Sequence, residues 1–125
     1  MSTSRGAVRL LRHAAALSFL LAAQTVLAAT NFVPGFEDVP LMPGLSAIDE
    51  PMQFDSPGGR IIETQTAGRG SVSEVIAFYR ETLAELGWKS LNSLIYDRQG
   101  ERLTLSVGEP TSGRVEVRFS LAPKP

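Results

Sequence analysis

One segment fixes the layout of this chain more than any other. It is a capped amphipathic helix over Ser71–Leu86, flanked on both sides by β-type sequence. Ser71 and Glu74 form an S-x-x-E capping box, in which each side chain satisfies the other residue's orphaned N–H. Val72, Val75, Ile76, Tyr79, Leu83 and Leu86 recur at three- and four-residue steps and draw one apolar stripe, which Phe78 widens. Glu74, Arg80, Glu81 and Glu85 take the polar side. Gly87 then supplies a left-handed stop, and Trp88 is placed to fold back on Leu83. Such a helix is about 22 Å long, so it needs a sheet of similar length to cover its stripe.

The flanking sequence provides strands of that length. Arg60–Thr66, rich in Ile and Thr, reads as a strand before the helix. Lys89–Arg98 reads as a loose strand after it, with Leu91, Leu94 and Tyr96 inward. Arg102–Gly108 alternates Leu103, Leu105 and Val107 with polar residues. Glu109–Gly113 reads as a five-residue hairpin loop, and Arg114–Leu121 alternates again through Val115, Val117, Phe119 and Leu121. The expectation is an α+β fold in two layers, β-α-β-β-β. One helix packs on a mainly antiparallel sheet whose other face is wet.

Residues 30–58 read as a Pro-rich extended arm ahead of a 59–125 α+β domain. Pro34, Pro40, Pro43, Pro51 and Pro57 exclude a helix and disfavour a central strand. Phe32, Phe36, Val39, Leu41, Met42, Leu45, Ile48, Met52 and Phe54 are too apolar for a free linker. The arm is therefore expected to lie against the domain. Ser56-Pro57-Gly58-Gly59 is a turn signal, with Met52–Asp55 and Arg60–Thr66 as possible hairpin partners.

The first 29 residues read as a secretory signal. Arg5, Arg9 and Arg12 make a positive start, Ala14–Ala29 is apolar, and Val26 and Ala28 give a small-residue exit. The apolar run is shorter than the roughly 20 residues a spanning helix requires. A periplasmic location is expected, with an inner-membrane tether only if the leader is kept.

Removing that leader takes the formal net charge from −1 to −4, since all its charges are Arg. A basic footprint for nucleic acid is then missing. The chain has no Cys, and its one histidine, His13, sits in the leader. Disulfides, Zn sites built on His or Cys, and His-dependent nucleophile systems are closed to the remaining chain. No cofactor and no metal is expected.

The segment Val75-x-x-Phe78-Tyr79-x-x-x-Leu83-x-x-x-Gly87-Trp88, followed by a polar-turn hairpin, resembles a group of small exported or lipid-anchored bacterial proteins. These are mostly uncharacterised and share a V-x-x-F-Y-x-x-x-L-x-x-x-G-W helix end. It is also similar to helix-on-sheet modules of the accessory lipoprotein of the outer-membrane barrel-assembly machine. The resemblance covers Gly68 to Leu121, and its motif residues are structural, so no catalytic residue is implied. The lipid-acceptor cysteine of the lipoprotein members has no counterpart here.

Four sets of residues invite a functional reading. Gly68, Arg69, Gly70 and Ser71, at a strand-to-helix handover, would suit an anion; a tight turn plus a cap explains the same residues. Arg102, Arg114 and Arg118 would form a patch for an acidic partner, or a solvated face with cross-strand charge pairs. Phe78, Tyr79 and Trp88 would line a ligand pocket, or simply fill the core. Asp49, Glu50 and Asp55 lack the ligand spacing of a calcium loop and fit a solubilising role. The expected function is a non-enzymatic envelope accessory module that binds another envelope protein. The alternatives are a small-ligand or anion binder and, third, a carboxylate-based hydrolase.

Overall fold

The computed structural model describes residues 31–125; the leader expected over residues 1–29, His13 included, lies outside the described residues. The elements are β1 (Leu45–Ala47), β2 (Met52–Ser56), β3 (Gly59–Arg69), α1 (Val72–Glu85), β4 (Lys89–Asn92), β5 (Ile95–Arg98), β6 (Glu101–Thr111) and β7 (Arg114–Pro123). The strands form one sheet in the order β1-β3-β7-β6-β5-β4, with β2 also on β3, and every pairing is antiparallel. The fold is α+β, one helix packed on one antiparallel sheet.

The helix ends as its sequence dictates. Ser71 Oγ accepts from the Glu74 N–H, and Glu74 Oε1 accepts from the Ser71 N–H. At the far end Gly87 has φ +90°, the Gly87 N–H donates to Ala84 O, and the Trp88 N–H donates to Leu83 O. This is the paired hydrogen-bond pattern of a Schellman stop. Val75, Tyr79 and Leu83 are fully buried, whereas Val72, Ile76 and Phe78 are half-buried and Leu86 is 39% exposed. The stripe is thus narrower than the sequence suggests, because one short helix rests on a broad, twisted sheet.

That mismatch of widths explains the arm. Six strands abreast span about 24 Å at ~4.8 Å per strand, and a helix is only about 10 Å across. Val33, Phe36, Val39, Met42 and Leu45 cover the remainder, each buried in the same core as Val117, Phe119 and Leu121. Each such side chain contributes about 1.5–3 kcal/mol when fully buried. The arm folds back on itself first: the Val33 N–H donates to Val39 O and the Leu41 N–H to Asn31 O. Its prolines have no N–H to satisfy, which eases the burial of an irregular segment. Phe32, Ile48, Met52 and Phe54, which belong to the apolar set that makes the arm too hydrophobic for a free linker, are exposed.

Tyr79 fastens the arm to the helix. Its hydroxyl donates to Pro40 O at 2.8 Å and accepts from the Met42 N–H at 2.9 Å. Its ring meets Phe119 edge-on at 5.2 Å. Burial pushes the Tyr79 phenol well above its ordinary value, against a smaller downward pull from the Met42 N–H. Arg98 fastens the other end: it stacks 4.2 Å over Trp88, donates to Leu86 O and pairs with Asp38 of the arm.

Two stretches differ from the sequence reading. Lys89–Arg98 is not one strand but the hairpin β4–β5. Asn92 Oδ1 accepts from the Leu94 N–H at 2.8 Å, an Asx turn that reverses the chain. Leu91 therefore lies on an edge, 50% exposed, rather than inward. The expected loop at Glu109–Gly113 is shorter, since β6 runs to Thr111. A register shift between Gly108 and Thr111 absorbs Pro110. With β1 and β2 added, the order is β-β-β-α-β-β-β-β.

Tyr79→Phe is expected to cost about 1–3 kcal/mol, because it leaves a buried N–H and C=O unpaired. The melting temperature should fall by roughly 5–15 °C. The folded phenol keeps its proton at a pH where the unfolded one, near 10.0, has lost it. Wild-type stability should therefore fall as pH rises above about 10, and the variant should lose part of that slope. Thermal melts from neutral pH upward check both.

Candidate functional site

The arm and α1 roof one face of the sheet, so the surfaces open to other molecules are the second face and the two edges. The candidate residues from the sequence distribute over these unevenly.

The Gly68–Ser71 turn is already occupied. A Cβ on Gly68 would sit 1.9 Å from Gly44 O, so this glycine exists to let β1 cross β3 closely. The Gly70 N–H donates to Gly113 O at 3.0 Å. The Val72 N–H donates to Glu109 Oε1 at 3.3 Å, and the Ser71 N–H goes to Glu74. Two carboxylates thus already face the positive end of the helix dipole. Arg69 is exposed and stands opposite Arg114 in register.

The three arginines of the supposed patch are not one cluster. Arg102 lies opposite Ala122, eight residues along β7 from Arg114, so they span about 27 Å at ~3.4 Å per residue. Arg102 is committed to Asp97 through two hydrogen bonds of 2.8 and 3.0 Å, with Lys124 Nζ 3.7 Å from the same carboxylate. The Arg102 hydrogen bond holds Asp97 below the ordinary carboxylate range, opposed by desolvation and helped by Lys124. Arg114 and Arg118 stay exposed on the open face, Arg118 between Gln65 and Ser106 in register. Tyr79 and Trp88 are core residues and Phe78 is half-buried against them, so the three do not line a cavity.

The feature left open is the edge formed by β2. Pro51 and Pro57 bracket its five residues, which limits the strand to a short extended run. It pairs with β3 from Met52↔Glu63 to Ser56↔Gly59, and its other side pairs with no strand among the described residues. An antiparallel strand paired on one side leaves alternate N–H and C=O groups pointing outward. Met52 and Phe54 are 56% and 53% exposed on the face that carries Ile61 and Glu63. Gln53 turns to the other face and donates from Nε2 to Gly35 O at 3.1 Å.

The arm holds this edge in place without covering it. Gly35 has φ +90°, and a Cβ there would meet Gln53, Ile62 and Pro51, each at 3.1 Å. Thr64 Oγ1 also donates to Pro34 O at 2.6 Å. Beside the strand lies a hollow of about 290 Å³ lined by Gly35, Glu37, Phe54, Asp55 and Arg60 among others. A second hollow of about 190 Å³ holds Met52 with Asp49, Glu50 and Glu63. Arg60 is committed to Glu101 by bonds of 2.8 and 3.0 Å, which raise its pKa.

Glu37 and Glu63 carried no signal of their own in the sequence, because 26 residues separate them and only the folded arm and the β2–β3 hairpin bring them beside one strand. Met52-x-Phe54 between two prolines was the visible trace of an edge. No group of His, Cys, Asp and Glu positioned to hold a metal occurs among the described residues. No protein-family model matches the chain, and neither the curated proteins nor the solved structures contain a significant match to it.

The Asp97–Arg102 pair gives a pH test. Since the folded Asp97 pKa is depressed, its stabilisation is present above the unfolded value near 3.8 and is lost as pH falls through the lower folded value. Asp97→Asn should therefore melt below the wild type at neutral pH and converge with it as pH falls below the unfolded value near 3.8, as measured by thermal denaturation from neutral to acid pH.

Proposed function

We propose that this protein is a non-catalytic module of the cell envelope that binds another envelope protein by accepting an extended segment along β2. One observation carries the reading: β2 is an edge strand, paired on one side, that exposes Met52 and Phe54 on a single face. Addition of a strand to such an edge uses main-chain hydrogen bonds for affinity and alternate side chains for selectivity. The two-layer fold, with its Pro-rich arm as part of the roof, supplies the rigid support for this edge. The leader pattern of residues 1–29 and the lack of His and Cys after it support an exported, non-enzymatic role. Large exposed apolar side chains on an edge, even one shortened by flanking prolines, are otherwise an aggregation hazard, and a resident partner removes that hazard.

A photocrosslinking amino acid at Asp55, with the same group at Glu81 on the exposed side of α1 as a control, tests this in cells. The expected result is one protein captured from position 55 and not from 81, crosslinked through a single contiguous segment. Phe54→Ser should abolish the capture while changing the melting temperature by only a few degrees, since a half-exposed side chain contributes little. A monomeric protein with no adduct at position 55 would remove the proposal.

A further inference from the structure

We infer that the segment β2 accepts is cationic, with basic and apolar residues in alternation; this rests on β2 being the docking edge. The inference comes from what surrounds the strand. Glu37 and Asp55 line the hollow that holds Phe54. Asp49, Glu50 and Glu63 line the one that holds Met52. Five carboxylates thus flank one five-residue strand. The cation among these lining residues, Arg60, stands opposite Asp55 in register and within electrostatic reach of Glu37, but both its guanidinium hydrogen bonds go to Glu101.

The pleat sorts these groups by face. Successive residues of an added strand point to opposite faces, with same-face neighbours about 6.8 Å apart. The residue of the incoming segment opposite Phe54 meets Phe54, with Ile61 beyond it in register, and the residue opposite Met52 meets Met52, with Glu63 one strand farther away. Residues opposite Gln53 and Asp55 point to the arm side, toward Asp55 and Glu37. Residues past the Met52 end approach Glu50 and Asp49. Apolar side chains fit the first set, and Lys or Arg fits the other two.

An acidic segment would meet like charge on the arm side and past the Met52 end, and a neutral one would gain no charge attraction there. The edge at the far side of the sheet differs in kind. There β4 is broken by a register shift between Ser90 and Asn92 and carries Lys89. Bulges and lysines are among the devices that blunt an edge; β2 has an unbroken register with β3 and no lysine, and is limited only by its short length and the flanking Pro51 and Pro57.

The purified full chain is titrated with three seven-residue peptides in which valine alternates with lysine, glutamate or threonine, and with the lysine peptide N-methylated at alternate positions. Binding is read by fluorescence anisotropy, and its place by amide shifts and exchange protection over residues 52–56. The lysine peptide is expected to bind at least tenfold tighter than the other two at low salt. It should weaken at least fivefold at 300 mM salt, as screened surface charges require. N-methylation should abolish binding. Asp55→Asn with Glu37→Gln should weaken the lysine peptide at least threefold and leave the threonine peptide unchanged, with melts confirming that the variants fold.

Equal binding of all three peptides at residues 52–56 overturns the cationic preference and leaves the docking edge standing. Failure of every peptide to perturb residues 52–56 overturns the docking edge itself. Self-association without peptide that Phe54→Ser removes would make a second copy the occupant and overturn the inference.

Discussion

The Tyr79 hydroxyl is the polar contact that fastens the arm to the rest of the two-layer structure. It is a buried group on the helix that both donates to and accepts from the main chain of the arm, at Pro40 and Met42. Without it an irregular, Pro-rich segment would bring an unpaired N–H and C=O into an apolar core, at about 1–3 kcal/mol for the two. With it the arm becomes the second half of the roof. The ring of the same residue lies against Phe119 in β7. One side chain therefore ties together helix, arm and sheet.

The ends of the roof are closed by arginines rather than by more apolar surface. Arg98 joins β5, Trp88, the last turn of α1 and Asp38, while Arg60 joins β3 to β6 through Glu101. Arginine suits both places, because its planar head stacks on an aromatic ring and forks onto a carboxylate. Since no carboxylate is buried in the core among the described residues, the carboxylates are free to gather at the surface. They gather at the β2 edge because the arm loop brings Glu37 there and the hairpin brings Glu63.

The helix was legible in detail, down to Ser71, Glu74, Gly87 and Trp88, because capping and periodicity are local. The alternating strands around Leu103 and Val117 were legible for the same reason. The β4–β5 hairpin was not, since its reversal depends on one Asn92 side chain in a sequence without glycine or proline. The candidate site was legible only as composition. Apolar Met52 and Phe54 looked like covering residues, as Phe36 and Val39 prove to be. Nothing in their identity says which of these four faces the core.

By itself the sequence determined the helix after Ser71, its two stops, the alternation of the long strands and the absence of imidazole and thiol chemistry beyond residue 29. Each of these follows from hydrogen bonding and side-chain periodicity over a few residues. The tertiary structure decided which half of the arm is buried, which edge stays open and which charges meet there. Those outcomes depend on sheet width against helix width, and on pairing between segments far apart in the chain, and neither is written in any local stretch.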